Sequence, residues 1–320
     1  MNDVVRLGAD PVPRWPRPVV ALGNFDGVHR GHQALVAAII GAASSRSGTP
    51  VVLTFDPHPS RVLAPGACPT ALMTLDQKTA TLFRLGVHAV AVLPFTPEIA
   101  AARPEDFAAD VLQRAIGAHA VVVGTNFHFG RGRAGDVGTL RRQGETLGFA
   151  VIEVAPVVVD GDRVSSSRIR EALAGGDAGA AARLLGRPHC VFGAVVRGEG
   201  RGRTIGIPTA NLRPENETLP ALGVYAAWCW PGTTPAACPA VVNIGRRPTF
   251  GAGAVSVEAH LLDFSGDLYG QRLGLSFVSR LRGEQAFPGP EALVAQIGSD
   301  IAEARGILGG PRPASPWAAL

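Results

Sequence analysis

The sequence predicts an α/β protein of two domains, a parallel-sheet domain followed by a smaller antiparallel β-barrel. In the first half, apolar runs of strand length alternate with helical stretches, which is typical of a parallel sheet covered on both faces. Beyond residue 185 short alternating segments separated by Gly, Pro and Asn replace the long helices, and they favour a compact barrel. The 320 residues suffice for two cores of ordinary size.

The domain boundary is predicted where glycine accumulates. Residues 175–179 read GGDAG, and a Gly-Arg-Pro sequence at 186–188 follows the next short helical stretch. We therefore expect four segments: an N-terminal extension over 1–17, a first domain over 18–185, a second domain over 186–308 and a disordered tail over 309–320.

Composition indicates a globular protein of the cytoplasm. Apolar residues make up 46% of the chain and charged residues 18%, a balance typical of globular proteins. The sequence shows no apolar run of about 18 residues, the length that a membrane helix needs. The first 20 residues carry Asp3, Asp10 and four prolines in place of a signal-peptide core. No membrane partner is expected.

Charge and cysteine usage argue against other classes of partner. The net charge of +4 is small for this length and comes without a basic block, so no nucleic-acid partner is expected. The four cysteines, Cys68, Cys190, Cys229 and Cys238, show no C-x-x-C spacing, which favours free thiols over a zinc site or a disulfide framework. Weak self-association stays open.

Each strand of the first domain is a short, nearly continuous apolar run. The predicted strands cover 19–22, 51–55, 89–93, 120–123 and 150–154, and the predicted helices cover 33–43, 76–85, 104–116 and 138–147. Ligands of such a sheet bind at the carboxyl ends of its strands. Polar segments lie at these ends, at 54–59, 124–130 and 165–170, so we expect the ligand site of the first domain there.

The turn after the first of these strands is predicted to hold phosphate. It spans 23–32 and reads GNFDGVHRGH. Gly23, Gly27 and Gly31 allow close backbone approach, and the helix that follows points its N-terminal amides at the turn. His29 and His32 lie three residues apart where this helix begins. The H-x-G-H pattern resembles a signature of nucleotidylyltransferases; the alternative is a surface turn with two solvated histidines.

The other polar segments of the first half admit both a structural and a functional interpretation. His58 lies between prolines, where it serves either a rigid turn or a ligand. Asn126 lies in a Gly-bounded loop that is either simply well packed or, as we favour, a binding loop. The serines at 165–167 suit the N-cap of a helix over 168–174, and the same hydroxyls and amides, joined by Arg168, suit an anion.

The second domain is predicted from alternating segments at 190–196, 223–229, 240–244, 255–262 and 273–281, with a closing helix over 290–308. A loop rich in Gly and Arg over 198–203 leads to a Pro-Thr-Ala-Asn motif at 208–211. The loop suits polyphosphate, and Thr209 and Asn211 offer oxygen ligands for Mg²⁺. Taken alone, this motif is better explained as an ordinary turn.

One carboxylate of the second domain is a candidate catalytic base. Glu258 lies on a predicted strand among apolar residues, where a carboxylate is uncommon without a partner or a task. His260 lies on the same face of the strand, and we assign it a structural role.

Taken together and in this order, the segments resemble the bifunctional riboflavin kinase / FAD synthetases of bacteria over roughly 18–307. The resemblance rests on the H-x-G-H turn and on 54–59, 124–130, 165–170, 206–212, 223–226, 243–245, 247–250, 258–264 and 269–270. It implies a Rossmann-like nucleotidylyltransferase domain that transfers AMP from ATP to FMN, giving FAD and pyrophosphate. It also implies a six-stranded barrel with a terminal helix that phosphorylates riboflavin to FMN.

The resemblance further implies roles for single residues. In the first domain, His29 and His32 steady charge on the transferred group, and ATP phosphates are bound by Gly23, Phe25, Asp26, Gly27, Asn126, Ser165, Ser166, Ser167 and Arg168. Family members carry Asp or Asn at the position of Asn126, which we assign to positioning alone. In the second domain, ATP and flavin are bound by Gly198, Gly202, Arg203, Gly206, Pro208, Thr209 and Asn211. Thr209 and Asn211 hold Mg²⁺, and Glu258 accepts the hydroxyl proton.

Two other functions stay open at this stage. One is a nucleotidylyltransferase for another phosphate acceptor, since a fold does not determine its substrate. The motifs of the second domain argue against it, because they would then have no purpose. The other is a non-catalytic flavin or nucleotide sensor, which the intact candidate catalytic residues in both halves argue against.

Overall fold

The structure, a computed structural model, describes residues 3–198, 200, 202, 205–232, 236–246 and 255–313. Contacts divide the chain into two units, one of Met1–Thr70 and Leu75–Val164, the other of Ala71–Thr74 and Ser165–Leu320. Arg203, the segment 247–250 and residues 314–320 of the predicted tail lie outside the described residues. The domain boundary expected at 185 stays a prediction.

The first unit contains a parallel sheet, which confirms the predicted fold class. Its strands are β1 (Asp3–Arg6), β2 (Pro18–Leu22), β3 (Thr49–Asp56), β4 (Ala89–Pro94), β5 (Ala120–Gly124) and β6 (Ala150–Val154). Across the described residues they lie in the order β1-β4-β3-β2-β5-β6, and every neighbouring pair is parallel. β2 is buried along its whole length, as expected for a strand covered on both faces.

Helices cover the sheet; those over 30–44, 75–84, 104–115 and 137–147 confirm predicted helices, whereas those over 59–63 and 97–101 were not predicted. They are α1 (Arg30–Ser44), α2 (Pro59–Leu63), α3 (Leu75–Arg84), α4 (Pro97–Ala101), α5 (Pro104–Phe107), continued as a π-helix over Ala108–Ala115, and α6 (Val137–Leu147). Helix α6 begins at the cap Asp136, whose carboxylate accepts from Thr139 N at 2.7 Å, and ends at Gly148 with φ 86°. A hairpin of β7 (Val158–Val159) and β8 (Asp162–Arg163) follows the sheet.

The order of the strands marks the ligand edge of this sheet. From β2 the chain runs outward through β3 to β4, and then returns to the other side of β2 to form β5 and β6. In open α/β sheets, ligands bind at the carboxyl ends of the strands where this order reverses. The turn after β2 and the loop after β5 therefore flank the expected site.

The second unit contains a closed antiparallel barrel, also as predicted. After α7 (Ser166–Ala174) and α8 (Ala178–Leu185) come β9 (His189–Val196), β10 (Ala210–Pro214), β11 (Gly223–Pro231), β12 (Cys238–Arg246), β13 (Val255–Leu261) and β14 (Arg272–Arg282). The described strands close in the order β10-β13-β12-β11-β14-β9. Helix α9 (Pro290–Ile307) follows. Inside the barrel, Tyr225 is fully buried and meets the edge of Phe277 at 5.4 Å between ring centroids.

Candidate active sites

The phosphate turn of the first unit has an unusual backbone. Phe25 (φ 51°) and Val28 (φ 41°) adopt left-handed conformations on either side of Asp26 and Gly27 (φ 84°). Such angles are costly for a β-branched residue and persist only where the surroundings impose them. Phe25 and Val28 are both 0% exposed, so the core of the unit imposes the shape of the turn.

The two histidines of the H-x-G-H pattern stack on each other. His29 caps α1, its Nδ1 accepting from His32 N at 3.3 Å, and the rings lie 3.6 Å apart between centroids and 12° from parallel. A Cβ at Gly31 would come within 3.1 Å of the His29 ring, which explains the glycine between them. Because Nδ1 accepts, the proton of neutral His29 lies on Nε2, a donor suited to a phosphate oxygen.

In the loop after β5, Asn126 contacts an arginine of the hairpin, Arg163 on β8. With the Asn126 amide oriented so that its oxygen faces the guanidinium, Oδ1 accepts from Nη1 of Arg163 and from its Nη2 at 3.1 Å. The neighbouring Phe127 and Phe129 rings stack at 5.5 Å, so the loop is packed while Asn126 stays exposed. Arg163 was not among the predicted site residues. The sequence signal for the hairpin that carries Arg163 is Asp160-Gly161, a typical hairpin pair. Both residues have positive φ, 54° and 83°.

His58 has a structural role next to the phosphate turn over 23–32. Its Nδ1 accepts from Ser60 N at 3.2 Å and caps α2, and its Nε2 lies 3.2 Å from Nδ2 of Asn24. These contacts support the rigid-turn interpretation, the ligand role stays untested, and the turn that His58 supports contacts the phosphate turn.

The serine segment caps α7, as one of its two interpretations predicted. Ser165 Oγ accepts from Arg168 N at 3.3 Å. The contacts assign Ser165, Ser166, Ser167 and Arg168 to the second unit. Their binding of ATP phosphates together with the H-x-G-H turn therefore stays a prediction.

In the second unit, three polar residues form a row across adjacent strands. Asn211 of β10 and Asn243 of β12 both lie in register with Glu258 of β13 between them. Their neighbours Leu212, Val242 and Val257 fill the barrel, so the row lies on its outer face. In-register side chains have Cβ atoms about 5 Å apart, which brings two amides to one carboxylate. Asn211 and Glu258 were predicted site residues, whereas Asn243 was assigned no role.

The Pro-Thr-Ala-Asn motif is not an ordinary turn, because Ala210 and Asn211 begin β10. Asn211 is 7% exposed, and a Cβ at Gly198 would overlap its amide, so the backbone at Gly198 lies directly against this side chain. His260 Nδ1 donates to Pro208 O at 2.8 Å and holds the backbone ahead of Thr209, which supports its structural assignment.

A cavity joins these features. It measures about 480 Å³ and is lined by the polar row with Thr209, by Gly200 and Gly202, and by residues of α9. This size suits a nucleotide or flavin-sized ligand. Arg282 and Asp300 fix its wall by tying β14 to α9, with Nε–Oδ1 and Nη2–Oδ2 distances of 3.0 and 2.8 Å.

The donor set of this cavity fits Mg²⁺ bound to a nucleotide. A threonine hydroxyl and an amide oxygen are hard ligands, and Mg²⁺ commonly takes only one or two protein ligands beside phosphates and water. Among the described residues, no group of three or more His, Cys, Asp or Glu is arranged to hold a metal by itself.

The fold and the two sites together define a class: a nucleotidylyltransferase-type α/β unit and a phosphotransferase-type barrel on one chain. Family models agree, since residues 13–168 match FAD synthetase and residues 185–308 match riboflavin kinase. The chain belongs to the bifunctional riboflavin kinase/FMN adenylyltransferase family, as its relatives show.

A relative of that name from Pseudomonas fluorescens is 40% identical over 90% of this chain and 92% of its own length. One from Escherichia coli K12 is 37% identical, covering 92% and 94%. A crystal structure described as a macrolide-efflux protein from Streptococcus pneumoniae superposes with a TM-score of 0.86 at 30% identity, covering 94% of this chain and 98% of that one. In the part of this chain that the structure describes, no helix is both long and apolar enough to span a bilayer.

Proposed function

We propose that this chain makes FAD in two steps, phosphorylating riboflavin to FMN with ATP and then transferring AMP from ATP to FMN. One observation carries the proposal: each of the two matched modules has a candidate site. In one it is the H-x-G-H turn at the switch point, and in the other it is the Asn211–Glu258–Asn243 row at the cavity.

In the kinase step, the ribityl hydroxyl of riboflavin has a proton to lose. Glu258 accepts that proton as the hydroxyl oxygen attacks the γ-phosphorus and ADP leaves. Asn211 and Asn243 flank the carboxylate and orient it. Thr209 and Asn211 hold Mg²⁺, which neutralises charge on the ATP phosphates when it is bound.

In the adenylyl step, the FMN phosphate is already a nucleophile, so no strong base is required. A phosphate oxygen attacks the α-phosphorus of ATP, and pyrophosphate leaves. The protein aligns the reactants and offsets charge. The N-terminal amides of α1, His29 and His32 face the transferred group, and Asn126 positions it together with Arg163.

The proposed partners are the small molecules ATP, riboflavin and FMN. The expected cytoplasmic location, the absence of a nucleic-acid or membrane partner and the weak self-association stay predictions.

The test is a time course with riboflavin, ATP and Mg²⁺ in which the flavins are separated. FMN should accumulate first and FAD should follow, and EDTA should stop the kinase step. An absence of FMN would rule out the kinase assignment. FMN without FAD would leave a nucleotidylyltransferase for another acceptor, and binding without any product would leave the flavin sensor.

A further inference from the structure

Lys78 is the only lysine of the chain, and it is buried. It lies on α3 with 8% of its surface exposed, and its Nζ is 3.3 Å from Oγ1 of the fully buried Thr54. Burial lowers the pKa of Lys78, and the negative charges of Asp26 and Asp56 act in the opposite direction. A buried ammonium persists where nearby groups compensate it, so its partners indicate its role.

Those partners lead to the phosphate turn. Thr54 Oγ1 donates to the backbone oxygen of Asn24 at 3.0 Å while it faces the ammonium of Lys78. Asp26, the second partner, is 4% exposed and lies two residues further along the turn. Lys78 thus acts on the turn at two points, through a hydroxyl at Asn24 and through charge at Asp26.

The turn needs such support for two reasons. Its left-handed residues, Phe25 and Val28, stay in place only if their surroundings impose the conformation. In addition, Asp26 puts a negative charge within the turn that is proposed to receive polyphosphate, and the ammonium offsets that charge. Because His29 follows Val28 directly and caps α1, any shift of the turn displaces the histidine and the helix amides together.

We propose that Lys78 is a positioning residue for adenylyl transfer. It supports Asn24 through Thr54 and Asp26 through charge, and so positions His29 and the first amides of α1. Lys78 touches neither substrate. The inference rests on the proposed role of the H-x-G-H turn, and its effect falls on turnover more than on substrate binding.

The variant test uses Lys78→Met in the full-length chain, with Arg84→Met as the control because it removes an exposed cation from the same helix. We expect Lys78→Met to lower kcat for FAD synthesis from FMN by about 10- to 100-fold, since an error of about 1 Å in alignment costs about that much. The KM for ATP should change less than threefold. Riboflavin phosphorylation by the same molecules and both activities of Arg84→Met should stay within twofold. FAD synthesis by Lys78→Met within twofold of wild type would overturn the inference.

His29→Ala, measured in parallel, distinguishes failure of this inference from failure of the proposed role of the H-x-G-H turn. Full FAD synthesis by His29→Ala would overturn the assignment of the turn itself. Loss of activity in His29→Ala with normal activity in Lys78→Met would overturn the role of Lys78 alone.

A second measurement applies if Lys78→Met does not fold. Wild-type protein made with lysine labelled at Cε and Nζ gives a single side-chain NMR signal, because the chain has one lysine. Saturation with α,β-methylene-ATP, Mg²⁺ and FMN should shift this signal, since the turn that Lys78 supports then carries phosphate. An unchanged signal at saturation would contradict the proposal.

Discussion

We expect the stability of the barrel to fall in mild acid because of His189, the first residue of β9. His189 is 3% exposed, and its Nε2 donates to the Thr218 oxygen at 3.1 Å. Burial, the largest cause, lowers the pKa of His189 to about 4; the charge of Arg187 also lowers the pKa, and the Thr218 hydrogen bond opposes both. Folded His189 therefore stays neutral at a pH where the unfolded chain binds a proton.

The sign and size of the effect follow from this difference. Because the folded-state pKa is lower, the contribution is complete above pH 6.5 and is lost as the pH falls from 6.5 toward 4. Between pH 7.5 and pH 5, linkage from a pKa of about 4 in the folded state and 6.5 in the unfolded state gives a loss of about 2 kcal/mol. At pH 4 the loss reaches about 3 kcal/mol.

Urea unfolding at several pH values measures this loss. A background with Trp15→Phe and Trp317→Phe confines the fluorescence to Trp228 and Trp230 of β11, so the barrel is observed alone. His189→Gln should reduce the decrease in unfolding free energy between pH 7.5 and pH 5 by about 2 kcal/mol. Equal decreases in wild type and His189→Gln would refute the reasoning.

Three further predictions concern single residues. Gly198→Ala should lower riboflavin phosphorylation at least tenfold, because the added Cβ overlaps Asn211, and should not affect FAD synthesis from FMN. The control Gly298→Ala adds a Cβ in open space on α9 and should affect neither activity. Arg163→Gln should slow FAD synthesis at least tenfold without affecting the kinase, and equal rates would remove this arginine from the site. Burial raises the pKa of Cys229, so a disulfide reagent at pH 8 should leave this thiol unreacted until guanidinium is added.

The parts of the fold that the sequence predicted are those specified locally. Strands β2 to β6 are nearly continuous apolar runs, and the helices between them carry periodic apolar faces, so both could be recognised without knowing their neighbours. The turn between β2 and α1 could also be predicted, because its glycines and histidines lie within ten residues, 23–32, and its binding of phosphate stays a prediction.

Two of the strands that the sequence did not predict, β1 and β10, are strands because of pairing and not because of composition. β1 is four residues long, half of them charged, and becomes a strand by pairing with β4 at the edge of the sheet. β10 has the composition of a turn, yet β9 and β13 pair with it on both sides. β10, whose motif was interpreted as an ordinary turn, is therefore the sixth strand of the predicted barrel.

The site of the barrel was predicted only in part for the same reason. Glu258 was noticed as a carboxylate among apolar residues, but its alignment with Asn243 depends on the register of two strands. Asn243 by itself is an exposed asparagine and gives no local signal. Lys78 is the only lysine of the sequence, but its link to Asn24 through Thr54 depends on tertiary contacts.

The central claim, two independent active sites on one chain, is tested most directly by measuring both half-reactions in His32→Ala and Glu258→Gln. We expect His32→Ala to form FMN from riboflavin at the normal rate and to make FAD from FMN about 100-fold more slowly or worse. Glu258→Gln should show the reverse, with phosphorylation of riboflavin slowed about 10²- to 10⁴-fold and FAD synthesis from FMN unchanged. A variant that loses both activities while folded, or a Glu258→Gln that phosphorylates riboflavin normally, would contradict the account.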